Sequence, residues 1–111
     1  ATLVEVLDGN TMILKIKGEL KTVHLAGIDT PELKPHGTGT WCESEGAKAL
    51  QAKRFASKRL LDASEITLDE ERTNTAGEMT AVVYVDNLSL GQELLYKYLA
   101  IENGEPTRWC D

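Results

Sequence analysis

The chain has 111 residues, 41% hydrophobic and 27% charged, with a formal net charge of −6. This length sets an expectation of one domain over residues 1–111 with room for one core, and the composition excludes a disordered acidic tail. No apolar run approaches the ~20 residues of a membrane-crossing helix. The start, ATLVEVLDGN, has no signal-peptide pattern, which leaves the compartment open. Acidity argues against a general nucleic-acid binder, which needs a basic stripe to displace counterions from phosphates. The densest basic cluster, Lys53, Arg54, Lys58 and Arg59, falls in a helical segment and reads as a solvated face.

In chain order, residues 3–7 alternate as a strand, with Leu3, Glu5 and Leu7 on one face and Val4 and Val6 on the other. Asp8-Gly9-Asn10 is a turn, and Thr11 to Ile16 resumes the alternation with Met12, Leu14 and Ile16 on one side. Gly18 turns the chain into a third strand containing Val23 and Leu25. Residues 26–40 form a long loop punctuated by Gly27, Pro31, Pro35, Gly37 and Gly39, of a length usually either functional or mobile. Ser44 is placed to cap a helix running to about Leu61, with Ala49, Ala52, Ala56 and Leu60 on one stripe; small alanines predict close packing. Residues 65–69 and 79–85 read as strands around an Asn74–Gly77 turn. Asp86-Asn87 turns the second of them, and Ser89 with Gln92 opens a short helix to Leu99, with Leu90, Leu94, Leu95, Tyr98 and Leu99 on its apolar side. Three strands, a helix, two strands and a helix make the plan of an OB-fold, a five-stranded barrel of α+β or mainly β class with two or three helices. The last eleven residues read as irregular. Cys42 and Cys110 show no metal-ligand spacing, so they are either a pair or two unrelated thiols.

Three stretches then read together: LDGNT at 7–11, GIDTPE at 27–32, and AGEMTAVVYVDN with its helix at 76–100. In this order around one helix they resemble the staphylococcal-nuclease-like (thermonuclease) family, whose motifs run DGDT, R-L-x-G-I-D-x-P-E, D-x-x-G-R-x-L-A and a helix ending L-x-x-G-L-A. The resemblance spans nearly the whole chain. It implies metal-assisted phosphodiester hydrolysis, in which two carboxylates and a backbone carbonyl hold Ca²⁺, a glutamate activates water, and two arginines grip the phosphate. The ending also resembles members with a C-terminal Trp-Cys pair and a matching cysteine before the long helix. That likeness implies a Cys42–Cys110 disulfide and a periplasmic or secreted setting.

Carried onto this sequence, Asp29 matches the second metal carboxylate, Thr30 the carbonyl donor and Glu32 the general base. The other positions are changed. The first metal carboxylate falls at Asn10, whose amide oxygen still suits a hard cation but carries no charge; alternatively Asn10 is a turn residue at positive φ. The two phosphate arginines fall at His24, which offers no bidentate fork, and at Glu78, where the sign is inverted; alternatively His24 is a strand residue facing a groove and Glu78 a solvated turn residue. The aromatics that follow Leu-Ala in many members, where bases can stack, are missing from Leu99-Ala100-Ile101-Glu102-Asn103.

Three functional readings follow. The first is a nuclease-fold domain with impaired catalysis, acting as an extracytoplasmic binding or accessory module for an unidentified ligand. The second is a slow or divergent metal-dependent phosphodiesterase, acting on DNA or RNA through Glu32 with a metal on Asp29 and Asn10 and a phosphate-binding cation from Arg72 or Lys15. The third is a cation-binding module, with Asp8, Asp29, Glu32, Glu78 and His24 crowded into one groove. Ca²⁺ is the one cofactor expected, weakly held.

Overall fold

The computed structural model describes residues 1–35, 41–106 and 109–110. The five expected strands are present as β1 (Thr2–Asp8), β2 (Thr11–Ile16), β3 (Glu19–Leu25), β5 (Ile66–Thr73) and β6 (Met79–Val85). Three two-residue strands join them: β4 (Ile28–Asp29), β7 (Leu88–Ser89) and β8 (Ile101–Glu102). Two helices are described, α1 (Glu43–Leu61) and α2 (Leu90–Tyr96). Part of the long loop, residues 36–40, with Gly37 and Gly39, lies outside the described residues.

The main sheet runs β1-β2-β3-β6-β5, with β3 and β6 parallel and the other neighbours on that path antiparallel. This is the OB-fold strand set, but the sheet is an open path rather than a barrel closed by hydrogen bonds. Among the described residues no ladder joins β1 to β5, and the two edges meet where the Ala1 amine donates to the Ile66 carbonyl at 3.2 Å. The inner face is close-packed around Met12, Leu14, Val23, Val83, Val85, Leu90 and Leu94, all but inaccessible to solvent.

Local chemistry explains most of this. Lys17 and Gly18 both take positive φ, as do Asp86 and Asn87, giving the primed turns whose twist suits hairpins. The alanine stripe packs as expected: Ala49, Ala52 and Ala56 are buried, and a Cβ on Gly9 would stand 2.7 Å from that of Ala52. The close approach seats the β1–β2 turn directly on α1.

Four sequence expectations change. In β1, register shifts between Leu3 and Glu5 and between Val6 and Asp8 break the alternation, so Val6 points inward while Val4 and Leu7 are exposed. The N-cap of α1 is Cys42, with no side-chain cap bond, instead of Ser44. The tail is not wholly irregular, because β8 pairs antiparallel with β4. Finally, α2 ends at Tyr96, and Tyr98 leaves the apolar face.

Tyr98 sits at φ +60° just past the helix, with its N–H on the Leu95 carbonyl and the Leu99 N–H on the Leu94 carbonyl. This is a Schellman cap, whose left-handed position favours glycine. A tyrosine there is strained, and it is 78% exposed, so little burial offsets the strain. We expect Tyr98→Gly to stabilise the fold by about 0.5–1 kcal/mol. The check is a higher urea midpoint at unchanged slope.

Candidate functional site

The outer face of the main sheet carries a row of paired residues. Asp8 pairs with Thr11, Thr11 with His24, His24 with Thr80, and Thr80 with Arg72. Residues opposite one another share a face, and side-chain contacts confirm it at the centre. Thr11 Oγ1 lies 3.1 Å from His24 Nδ1 and 3.2 Å from Asn10 Oδ1, to which it donates. His24 Nε2 lies 3.3 Å from Glu78 Oε1. With the single threonine proton given to Asn10, Thr11 accepts from His24 Nδ1–H, and the opposite nitrogen faces the carboxylate.

Glu78 is set in place by the turn before β6. The Asn74 side chain accepts from the N–H groups of Ala76 and Glu78, both at 3.0 Å, and Gly77 supplies the positive φ. The two positions expected to hold phosphate-gripping arginines therefore carry a histidine and a glutamate that contact each other. The pair is roughly a third to a half exposed, so its own contribution to stability is small. Its consequence is local charge: two guanidinium positions become an ion pair with no net positive charge, or a lone negative one.

Asn10 does not take positive φ. Its N–H donates to Asp8 Oδ1 at 2.9 Å and its carbonyl accepts from the Leu25 N–H at 2.8 Å. The two motif loops abut here, because a Cβ on Gly9 would lie 3.3–3.4 Å from the Thr30 side chain.

Asp29 lies in β4 opposite Ile101. With its amide oriented to satisfy the surrounding groups, Asn103 donates to both Asp29 carboxylate oxygens, at 3.0 and 3.3 Å, and to the Ile28 carbonyl at 3.1 Å. Thr30 and Pro31 are buried, which turns Glu32 out to the surface. The Glu32 peptide is held at both ends: its N–H donates to Glu45 Oε2 and its carbonyl accepts from Trp41 Nε1–H, each at 2.9 Å. Neither Trp41 nor Glu45 is singled out by the sequence. The one local signal is Gly46 inside a helix, where glycine costs about 1 kcal/mol relative to alanine; a Cβ there would meet the Trp41 ring at 2.7 Å.

The donor set can be tested for a metal. Asn10 Oδ1, the Asp29 carboxylate and the Thr30 carbonyl are hard oxygen donors of the type Ca²⁺ takes. They carry one formal charge among them, the Asn10 oxygen is engaged by Thr11, and the Asp29 carboxylate by Asn103. Among the described residues no group of three or more His, Cys, Asp or Glu side chains is gathered as a metal site, so the acceptors at 8, 24, 29, 32 and 78 do not form the crowded cage of the third reading. The set does not fit a tightly held Ca²⁺.

Of the other cations considered, Arg72 sits in the His24 row two strands away, about 10 Å at ordinary strand spacing. Lys15 pairs with Thr2 and Leu20 toward the far end of β2. In the α1 cluster, Lys58 pairs with Asp62 at 3.0 Å on the exposed face, whereas Arg59 pairs with Glu93 of α2 at 3.1 Å in a part-buried contact between the helices. Cys42 and Cys110 are bonded, with a Cα separation of 5.9 Å.

An OB-fold strand order carrying GIDTPE on the loop after the third strand defines a nuclease-type domain. Residues 22–106 match the family model described as staphylococcal nuclease homologue, and the chain belongs to that family. It is 32% identical over 102 residues to the SPbeta prophage-derived endonuclease YokF of Bacillus subtilis, a match covering 89% of this chain and 32% of that protein. It is 29% identical over 120 residues to the uncharacterized protein MJ1439 of Methanocaldococcus jannaschii, covering 88% of this chain and 56% of that one. The chain thus spans about a third and just over half of the lengths of these two relatives.

Proposed function

We propose that this chain is a nuclease-family domain with impaired phosphodiester cleavage, serving outside the cytoplasm as a binding or accessory module. The observation that carries the reading is the 3.3 Å contact between His24 and Glu78. A phosphodiester anion repels hydroxide, so a cleavage site must supply positive charge before water attacks. Here the two positions suited to that task carry no net positive charge between them, while Glu32 stands at the motif position of the water-orienting carboxylate. The net charge of −6 disfavours bulk nucleic acid as the ligand. The disulfide supports an oxidising compartment, and none of the described helices is long and apolar enough to cross a membrane.

The test is cleavage of single-stranded DNA at neutral pH with Ca²⁺, beside the Bacillus endonuclease. Loss of preorganised phosphate donors predicts a rate lower by a factor of about 10³ or more. Robust cleavage that Glu32→Gln abolishes would overturn the impaired reading.

That outcome would promote a second reading, a slow phosphodiesterase, which the position of Arg72 favours. Arg72 shares the His24 row and the outer face, so it is the described cation best placed to substitute for a phosphate arginine. On this reading Arg72→Ala removes any residual cleavage and Lys15→Ala does not.

A further inference from the structure

Glu45 is an acidic side chain left only 7% exposed at the start of a helix. An acidic residue in the first helical turn complements the helix dipole equally well from the surface, as the exposed Glu43 does. Burying a carboxylate is costly unless it is hydrogen-bonded, and the bond observed runs to the N–H of Glu32. Trp41, on the other side of Cys42, donates to the carbonyl of the same residue. The two ends of the Glu32 peptide are thus gripped by side chains flanking one cysteine, and that cysteine is bonded to Cys110. Gly46 completes the arrangement, since a Cβ there would stand 2.7 Å from the Trp41 ring and force a shift.

We infer that Trp41 and Glu45 are positioning residues for Glu32, and that the Cys42–Cys110 bond holds this clamp closed, so that the placement of Glu32 depends on the oxidation state of the disulfide. With the residue held at N–H and C=O, and with Pro31 buried immediately before it, the backbone that carries the Glu32 carboxylate is fixed. Reduction by a dithiol converts the bond to two thiols, which take up the two protons as the reductant becomes a disulfide. The start of α1 then loses its covalent tie to the tail. The inference rests on Glu32 being the water-orienting carboxylate of the preceding reading, yet the clamp can be observed without any catalysis.

The primary readout is the Glu32 amide proton resonance in the folded chain. A hydrogen bond to a carboxylate moves it downfield, and the native state reports it whatever the global stability. We expect an upfield shift in Glu45→Ala and in the dithiothreitol-reduced protein, and retention in Glu45→Gln, whose amide oxygen still accepts. In-place reduction and the Glu45 pair keep the test decisive if Cys42→Ser/Cys110→Ser does not fold. A Glu32 resonance unmoved by Glu45→Ala or by reduction overturns the clamp. The second readout is cleavage in the Asn10→Asp/His24→Arg/Glu78→Arg background. There, Glu45→Ala and reduction should lower kcat about tenfold or more at unchanged KM, because small misplacements of a reacting group are costly, while Glu45→Gln holds kcat. Absence of cleavage in that background counts against the functional reading and leaves the amide resonance to decide the clamp.

Discussion

Replacing Asn10, His24 and Glu78 together by Asp, Arg and Arg should give Ca²⁺-dependent cleavage of single-stranded DNA at least ~10³ above wild type, since each preorganised donor to the developing oxyanion is worth about 3–4 kcal/mol. The observed contacts say why single substitutions should do little. His24→Arg alone places a guanidinium against Glu78, which already lies 3.3 Å from the imidazole, and the new charge is consumed by that ion pair. Asn10→Asp alone adds a carboxylate to a site still lacking phosphate-binding charge. Glu78→Arg should give the largest single gain, because it removes a repulsive charge and adds an attractive one. Groups acting as a unit are strongly non-additive, so the triple variant should exceed the product of the three single effects. Adding Glu32→Gln to the triple variant should return cleavage to background. A triple variant no faster than wild type, with its fold intact, would sink the account.

The parts of this molecule readable in the sequence are those whose signal is local. Alternation located the first two main strands and turn signals between apolar runs the other three, and the alanine stripe located α1 and its close packing, confirmed where Gly9 meets Ala52. GIDTPE located the loop carrying Asp29 and Glu32. The rest depends on partners distant in the chain. The two-residue β4 has no periodicity of its own and exists because β8 and the Asn103 amide lie against it. Tyr98 reads as apolar-face by helical spacing, but the helix ends before it and a left-handed cap turns it outward. Whether His24 and Glu78 oppose or ignore each other cannot be read from positions 54 apart. Their contact follows from parallel pairing of β3 with β6 together with the Asn74 turn. Glu45 reads as an ordinary first-turn acid until the Glu32 N–H is seen beside it.

Breaking the Cys42–Cys110 bond should lower folding stability by about 4 kcal/mol, the chain-entropy value for a loop of this length. The bond spans 68 positions, so its loss frees nearly two thirds of the chain to explore additional unfolded conformations. Domains of this size have only ~5–15 kcal/mol in total, so the loss removes from about a quarter to most of that margin. Its melting temperature should fall by roughly 15–25 °C. The native-state consequence is concentrated at one end of the molecule. Among the described residues, Trp109 and Cys110 meet the body at the disulfide and at Lys48, whose ammonium lies 5.6 Å from the Trp109 ring centroid. A half-buried contact of that kind contributes about 0.5–2 kcal/mol, less than the covalent link. The main sheet and its core do not include either cysteine, so the reduced protein should keep its far-ultraviolet dichroism at low temperature while losing stability to urea. Denaturation of oxidised and reduced protein in parallel, with Cys42→Ser/Cys110→Ser as the non-reducible control, gives the measurement. A loss below about 1 kcal/mol would mean that the unfolded chain is already restricted between these positions or that the bond strains the native state, either of which removes the entropic account.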